Sequence, residues 1–145
     1  MNAELKQWNR LIKRQDEVYH QCAKSSGLAD AQFWVLYALC ETEEALCQNT
    51  FCENWCYSKQ TVNAAVTSLQ KSGLVYLAFS QGSHKQKDLH LTEAGEAFCS
   101  RHIRTIQAAE ERALSQRTEA ERREFFRLYE QLLSGIEQEL RDPSE

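Results

Sequence analysis

Apolar residues recur every three or four positions through most of the chain, the spacing that places them on one face of an α-helix. The pattern is clearest at residues 3–24 and from 119 to about 140, where charged and amide side chains fill the other positions. Residues 31 to about 42 are rich in large apolar side chains, which predicts a second helix, buried on most of its surface, with Asp30 as its N-cap. The first third of the chain and its end are therefore predicted to be helical.

Residues 48–72 predict two helices joined by a sharp turn. A short helix runs from about 48 to 55, a turn follows at 56–57, and Ser58 is a good N-cap for a helix over 59–72. The inward stripe of that helix, at positions i, i+3, i+4 and i+7, consists of Val62, Ala65, Val66 and Leu69. This arrangement is typical of a helix-turn-helix.

The period changes from helix to strand after Gly73. Residues 74–80 are β-branched and aromatic, residues 88–92 alternate, and the loop between them is polar, which predicts a β-hairpin. We expect Thr92 to cap a helix that then runs unbroken to about residue 116. The predicted fold class is therefore mainly α with a small β-hairpin, arranged as a winged helix-turn-helix.

Charge is unevenly distributed along the 145 residues. The net charge is −4, but residues 58–92 hold four lysines and one aspartate, a local charge of +3, which leaves −7 for the remainder. A basic segment inside an acidic chain indicates a localised surface for a polyanion such as DNA.

No apolar run approaches the roughly 20 residues that span a bilayer. The N-terminal segment is charged and lacks the apolar core of a signal peptide. We therefore expect a cytoplasmic protein that does not engage membranes, whose six cysteines are reduced thiols.

Two stretches resemble the MarR family, the multiple-antibiotic-resistance type of bacterial transcription regulators. They are SKQTVNAAVTSLQKSGLVYLAF at 58–79 and LHLTEAGEAF at 89–98. The resemblance covers nearly the whole chain and implies a single domain over 1–145, in which a DNA-binding lobe at 30–92 lies between dimerisation helices at 3–29 and 93–145. It also implies a homodimer, most simply a repressor, on a palindromic site in double-stranded DNA.

The exposed side of the helix over 59–72 carries side chains suited to base edges. Glutamine and asparagine can pair with adenine, while alanine and the threonine methyl can touch a thymine methyl. The predicted base readers are Gln60, Asn63, Ala64 and Thr67. The residues predicted to position the duplex through its phosphates are Ser58, Lys59, Thr61 and Lys71.

The wing departs from the family pattern, in which an Asp-x-Arg motif sends an arginine into the minor groove. The loop here has no arginine, and its expected DNA contacts are Ser83, His84, Lys85 and Lys87. Lysine lacks a planar guanidinium and is more strongly hydrated, so we expect this wing to contact phosphates rather than to read sequence.

Three cysteines lie within ten residues, at Cys47, Cys52 and Cys56. Cys47 precedes a predicted helix, where the backbone dipole favours a thiolate, so it is the candidate for an oxidation-sensitive thiol. Cys52 is predicted to be a small buried apolar residue. The spacing C-x4-C-x3-C matches no recognised zinc pattern, so no metal is expected. Cys22, Cys40 and Cys99 lie near apolar helix faces and are predicted to be packed rather than reactive.

The family resemblance implies a pocket for a small effector between the dimer helices and the DNA-binding lobe. The candidate lining residues are mostly aromatic, which suits an aromatic or lipophilic ligand. They are Trp8, Tyr19, Phe33, Trp34, Tyr37 and His102. Binding of such a ligand, or oxidation of a cysteine, would release the DNA.

Two other readings stay open at this point. One is a redox or metal sensor whose main event is thiol chemistry, and the other is a winged-helix interaction protein that does not bind DNA. An enzyme is not expected, because the chain has no convincing nucleophile–base set and no phosphate loop, and no cofactor is expected.

Overall fold

The computed structural model describes residues 2–143 and confirms the predicted fold class, with a small antiparallel sheet among helices. The elements are α1 (Ala3–Ser25), α2 (Asp30–Glu41), β1 (Leu46–Cys47), α3 (Gln48–Trp55), α4 (Lys59–Lys71), β2 (Val75–Phe79), β3 (Lys87–Leu91), α5 (Glu93–His102), α6 (Arg104–Ser115) and α7 (Glu119–Arg141). They form two compact units, one reaching to Thr105 and the other beginning at Ile106. No helix within residues 2–143 is both long and apolar enough to cross a membrane.

The first unit holds the hydrophobic core. Helix α2 packs on α1, α3, α4 and α5, so its large apolar residues are covered from several sides. The largest fully buried side chains are Phe33, Val35, Leu36, Phe51, Val62, Val66, Leu69, Cys99 and Ile103. Burial of such side chains contributes roughly 1.5–3 kcal/mol each.

The sheet has three strands in the order β1-β3-β2, all antiparallel. Leu77 of β2 and Leu46 of β1 both pair with Leu89 of β3, which places three leucines side by side on the buried face. The sequence predicted only β2 and β3, because the two residues of β1 are too few to show alternation.

The N-terminus of α2 differs from the prediction by one residue. Ala29 is the N-cap, and Asp30 is the first residue of the helix. The cap residue has no polar side chain, and its backbone N–H donates instead to the side-chain oxygen of Gln32, at 2.9 Å. Asp30 still places a carboxylate in the first turn, where the helix dipole favours negative charge.

The predicted unbroken helix from 93 to about 116 is wrong. Helix α5 ends at His102 and α6 begins at Arg104, with Ile103 between them at φ −108°. Ile103 is fully buried in the first unit, and its N–H donates to the carbonyl of Cys99 at 2.9 Å. Neither proline nor glycine lies at the break, so the local sequence does not indicate it. Burial of Ile103 in the core fixes the chain at this point.

The second unit is built mainly from α6 and α7 and has no buried residue between 106 and 143. Helix α7 begins with a capping box: Thr118 Oγ1 accepts the N–H of Glu121, and Glu121 Oε1 accepts the N–H of Thr118. The guanidinium of Arg122 donates to the carbonyls of Leu114 and Arg117, which closes the C-terminal end of α6.

Candidate nucleic-acid interface

Helix α4 is held in the first unit by one apolar side. Val62, Ala65, Val66 and Leu69 are all buried, as the sequence predicted. The side chain of Gln32 on α2 donates to the hydroxyl of Ser68 at 2.7 Å, which adds a polar link to this packing. The opposite side of α4 therefore has a fixed orientation and is free of the core.

The turn before α4 shapes the N-terminus of that helix. Cys56 adopts the left-handed conformation with φ 55°, which reverses the chain after α3. Ser58 is the N-cap, as predicted, and its hydroxyl accepts the N–H of Thr61 at 3.2 Å and donates to the Thr61 hydroxyl at 2.9 Å. Both side chains are exposed and complete each other's hydrogen bonds at the positive end of the helix dipole.

All four predicted base readers are exposed on the outer side of α4. They are Gln60, Asn63, Ala64 and Thr67, and Lys59, Thr61 and Lys71 are exposed with them. The Thr67 hydroxyl donates to the carbonyl of Asn63 at 2.8 Å, so its hydrogen is committed to the helix. The side-chain amides of Gln60 and Asn63 form no hydrogen bond with any other residue between 2 and 143, so their donors and acceptors are available at the surface.

The wing loop is folded around Ser83. Its hydroxyl oxygen accepts the backbone N–H groups of Lys85, at 3.2 Å, and Gln86, at 3.0 Å, while its own N–H donates to the carbonyl of Ser80. Gly82 has φ +75° at the tip, a conformation that glycine adopts without strain. Ser83 therefore organises the loop, and the exposed His84 and Lys85 project from a turn of defined shape.

Lys87 lies at the base of the wing beside an aromatic ring that sequence reasoning did not single out. Its ammonium is 5.1 Å from the ring centroid of Phe79, its partner across the hairpin, and that ring is 58% exposed. A cation–π contact of this kind holds the lysine without neutralising its charge. The sequence would have indicated this pair only if the register of the hairpin, which the length of the loop sets, had been known.

Asp88 is a buried carboxylate in the same strand. It is 7% exposed and accepts the hydroxyl of Ser80 at 2.8 Å. The lysines of residues 58–92 predict a basic surface, and Asp88, the one acidic residue of that segment, is buried rather than part of the surface. Its hydrogen bond joins the two strands at the root of the wing, so its role in this structure is to fix the hairpin.

Cys47 is the N-cap of α3, as the sequence predicted, and it is also a residue of β1. Its sulfur accepts the N–H of Thr50 at 3.5 Å and lies 3.1 Å from the Thr50 hydroxyl. The thiol is buried but lines a groove of about 440 Å³ that also contains Lys85 and Lys87. Cys47 therefore lies directly below the base of the wing.

The other two cysteines of this segment are partly or fully exposed. The prediction that Cys52 is buried is wrong, since it is half-buried on α3, and Cys56 is exposed in the turn. An eight-residue helix of roughly 12 Å separates Cys47 from Cys56, too far for a disulfide without rearrangement. Among residues 2–143, no three histidine, cysteine, aspartate or glutamate side chains are grouped so that they could hold a metal ion.

The predicted effector residues are only partly brought together. Tyr19 on α1 and Trp34 on α2, with ring centroids 4.9 Å apart, both line a cavity of about 660 Å³. Phe33 is fully buried in the core, and Tyr37 packs against Trp34 and Trp55. Of the remaining two, Trp8 lies about three turns before Tyr19 on α1, and the His102 ring is tilted against that of Phe98 with 4.5 Å between centroids; neither lines this cavity.

The cavity is more polar than an aromatic-lined pocket would be. Sequence reasoning missed most of its walls, which include Lys13, Gln15, Asp16, Glu17, His20, Asp30 and Tyr57. His20 Nδ1 lies 2.9 Å from Asp30 Oδ1, which links α1 to the start of α2 across the cavity. Burial, with Asp30 nearby, raises the pKa of Tyr57, so its phenol stays protonated and can donate a hydrogen bond.

Comparison with known proteins identifies the type of fold. A model of the MarR family matches residues 26–86, which run from the end of α1 into the wing loop. No curated protein matches the sequence.

Several solved structures share the fold along the chain. A MarR family regulator from Neisseria meningitidis is 24% identical with a TM-score of 0.80, and the match covers 99% of this chain and 100% of that one. A MarR family regulator from Silicibacter pomeroyi is 23% identical with a TM-score of 0.69, covering 92% of this chain and 90% of that one. A putative MarR family regulator from Listeria monocytogenes, solved with a 26mer DNA, is 22% identical with a TM-score of 0.70, covering 100% and 98%. The chain therefore has a MarR-like fold along its length, and its sequence is similar to the MarR family over residues 26–86.

Proposed function

We propose that the protein is a sequence-specific regulator of transcription that binds double-stranded DNA as a homodimer and represses from a palindromic operator. The observation that carries the proposal is the outer side of α4, where Gln60, Asn63, Ala64 and Thr67 are all exposed. A helix held rigidly by one side, with amide side chains on the other, suits base readout in the major groove.

The wing supplies the electrostatic part of this proposal. His84, Lys85 and Lys87 are exposed on a hairpin that follows α4, and the segment 58–92 is positive within an acidic chain. Lysines in this position suit phosphates, whose neutralisation makes binding salt-dependent. The similar regulator from Listeria monocytogenes was solved with a 26mer DNA, which supports double-stranded DNA as the partner.

The homodimer rests on the apolar surface that the single chain leaves exposed. Large apolar side chains on α7 and at the end of α6 are 40–78% exposed, and they are Leu114, Phe125, Phe126, Leu128, Leu132, Leu133 and Leu140. A stripe of this kind marks an interaction surface. We assign residues 3–29 and 93–145 to dimerisation and residues 30–92 to the DNA-binding lobe.

We place an effector site in the cavity lined by Tyr19 and Trp34. Its walls combine aromatic rings with the His20–Asp30 pair and the protonated phenol of Tyr57. A small aromatic molecule that also carries a polar group fits this lining better than a purely lipophilic one. Oxidation of Cys47 is a second route to release of DNA, because this thiol lies beneath the wing. No catalytic step belongs to the proposal.

Footprinting on the DNA that flanks the protein's own gene tests the proposal. We expect a protected palindrome, and we expect Gln60→Ala to change the preferred base at one symmetric pair of positions, with an affinity loss of about 1–3 kcal/mol per contact. Gln70→Ala is the matched control, because Gln70 is an exposed glutamine nearly three turns further along the same helix and is not among the proposed base readers.

The two variants separate the possible outcomes. If neither changes base preference although a palindrome is protected, another surface reads the operator. If no sequence-specific site exists in the source genome, the regulator function is wrong and the fold serves another interaction.

A further inference from the structure

The cavity lined by Tyr19 and Trp34, which we call the α1–α2 cavity, is acidic. Four of its lining residues lie at positions 13, 16, 17 and 20 of α1, a spacing that places them on one side of the helix. The carboxylates that line it are those of Asp16, Glu17 and Asp30, against the ammonium of Lys13, which lies 4.0 Å from Asp16. The lining therefore carries a net charge of −2 when His20 is neutral.

Two of these carboxylates border the same part of the cavity. His20 Nδ1 is 2.9 Å from Asp30 Oδ1, and Glu17 lies about one turn before His20 on the same side of α1. The side-chain amide of Gln21 donates to Glu17 Oε1 at 2.7 Å. A carboxylate has two acceptor oxygens, so each of these acids can still accept a hydrogen bond from a ligand.

Three aromatic rings also line the cavity, and other rings hold them in place. The ring centroids of Tyr19 and Trp34 are 4.9 Å apart, with the ring planes tilted by 47°. Tyr57 stacks on Phe51, with 6.0 Å between centroids and 8° between the planes. The further rings that lie 5.0–5.2 Å from that of Trp34 are Phe33, Tyr37 and Trp55. The aromatic part of the lining is therefore preformed.

Charge decides which ligand this lining favours. A ligand that enters the cavity displaces water from the carboxylates, and a neutral or anionic ligand offers no opposite charge in return. A cation replaces the lost solvation, and the faces of tyrosine and tryptophan rings attract it as well. An anion would lie beside groups of its own sign, with one ammonium to offset three carboxylates. The acidic and the aromatic parts of the lining therefore favour the same sign of charge.

We propose that the α1–α2 cavity selects a small organic cation, an ammonium group carried on an apolar body, which binds between the carboxylates of Glu17 and Asp30 and the aromatic rings. A cavity of about 660 Å³ has the size that such molecules need. The inference names the ligand class of the proposed effector site, and it rests on that proposed function only for its effect on DNA. The family resemblance implied an aromatic or lipophilic ligand and did not indicate its charge.

Tyr57 connects the cavity to the start of α4. It follows Cys56, whose φ of 55° reverses the chain, and it precedes Ser58, the N-cap of α4. Burial, and after it the carboxylate of Asp30, raises the pKa of Tyr57, so the phenol carries no charge of its own. A ligand that contacts Tyr57 therefore touches the residue next to the cap of the helix that we propose reads DNA.

Binding of three probes that share a naphthalene ring tests the charge of the ligand. They are naphthylmethylamine, which is a cation at neutral pH, the neutral naphthalenemethanol and the anion naphthoate, all substituted at the same ring carbon. Isothermal titration calorimetry of each probe with the full chain, without DNA, measures the affinities. We expect the amine to bind at least about tenfold more tightly than the alcohol, and the carboxylate to bind more weakly than the alcohol.

Two substitutions that remove charge and keep shape locate the bound cation. Glu17→Gln and Asp30→Asn should each lower the affinity for the amine about three- to fivefold and leave the affinity for the alcohol unchanged. Glu4→Gln is the matched control, because it removes the same charge from α1 roughly 20 Å from Glu17, beyond the screening length of physiological salt. Circular dichroism reports whether Asp30→Asn disturbs the start of α2, and Glu17→Gln, which lies within α1, keeps the test decisive in that case.

Three results would overturn the inference: the alcohol or the carboxylate binds as tightly as the amine, none of the probes binds at millimolar concentration, or Glu17→Gln leaves the affinity for the amine unchanged. The effect on DNA is a separate measurement, in which the amine should lower the operator affinity of the natural chain. Selective binding of the amine without that change contradicts the effector role but supports the cation site. Lack of an operator contradicts the regulator function and leaves the calorimetry untouched, so the two proposals fail separately.

Discussion

At the residue scale, Gly95 shows how closely the start of α5 approaches the chain after α4. A Cβ at this position would lie 2.0 Å from the carbonyl oxygen of Leu74 and 3.0 Å from its carbonyl carbon. The same carbonyl accepts the N–H of Thr92 at 3.1 Å, so it cannot move away without losing that hydrogen bond. The glycine therefore sets the distance between the wing-to-helix junction and the end of α4.

Gly95→Ala should destabilise the fold by at least about 3 kcal/mol, because backbone rather than a flexible side chain must shift. Chemical denaturation measures the change in the free energy of unfolding. Gly135→Ala in α7 is the control: a Cβ there meets nothing within 4 Å, so its helical position should make it neutral or stabilising by about 0.5–1 kcal/mol. Equal effects of the two changes would contradict the steric argument.

The capping box of α7 gives a residue-scale pH dependence. The hydrogen bond from the Thr118 backbone, followed by that from its hydroxyl, lowers the pKa of Glu121. A carboxyl whose pKa is lower in the folded state binds fewer protons there than in the unfolded chain. Its stabilisation is therefore present above the ordinary carboxyl pKa and is lost as the pH falls through the folded value.

Glu121→Gln should flatten the fall of the thermal midpoint with acid below about pH 5. Thermal unfolding followed by circular dichroism across this range measures the effect. Thr118→Ala keeps the backbone N–H that contributes most to the lowered pKa, so it should weaken the acid dependence only in part, and it should cost about 1 kcal/mol of stability at neutral pH. An unaltered acid profile in both cap variants would show that the box does not persist in solution.

At the scale of elements, the wing is a hairpin whose shape is set by side chains rather than by its length alone. Ser83 accepts backbone hydrogen bonds at the tip of the loop, and Asp88 accepts the hydroxyl of Ser80 where the loop begins. The ammonium of Lys87 lies over the Phe79 ring. Lys85 is the exposed cation that these contacts project outward. The wing is thus built to present charge, and it contains no arginine to read a narrow groove.

Lys85→Ala should reduce the dependence of log affinity on log salt by about 0.9 per chain, which is the loss of one phosphate contact, with base preference unchanged. Fluorescence anisotropy over a salt series measures the slope. The control is Lys24→Ala, which removes the same charge from the end of α1, outside the proposed interface. If the slope falls equally in both variants, the effect is one of total charge and not of the wing.

The sequence was sufficient for most elements of the fold and for the outer face of α4. Both follow from local signals: the stripe through Val62 and Leu69 fixes which side of the helix faces water, and the caps Ser58, Thr92 and Thr118 fix where three helices begin. These signals act within one element, so they can be read without knowing what the element contacts.

Features that depend on contacts between distant residues were missed. Strand β1 exists because Leu46 pairs with Leu89, and the break after α5 exists because Ile103 is buried. The periodicity or motif around a residue does not indicate which residues from a distant part of the chain pack against it.

At the scale of the whole molecule, the apolar stripe of α7 makes the proposed homodimer testable. Leu132→Glu places a carboxylate in this stripe and should convert the dimer to a monomer with a loss of operator affinity of at least tenfold, because two half-sites can then no longer be bound together. Sedimentation velocity and footprinting measure the two effects. Ser134→Glu is the matched control, since it adds the same group to an exposed position on the other side of α7.

A monomeric natural chain that still protects a palindrome would contradict the assignment of α7 to dimerisation. A dimer that survives Leu132→Glu as fully as it survives Ser134→Glu would place the interface elsewhere. Either result leaves the contacts of α4 with DNA open to the separate test with Gln60.

The lack of any buried residue between 106 and 143 also has a thermodynamic consequence. A helical hairpin with no core of its own has little stability until another surface covers it. If a second chain provides that surface, ordering of the hairpin and association are one reaction. Its melting is then bimolecular, and the temperature at which it unfolds rises with the concentration of the protein itself.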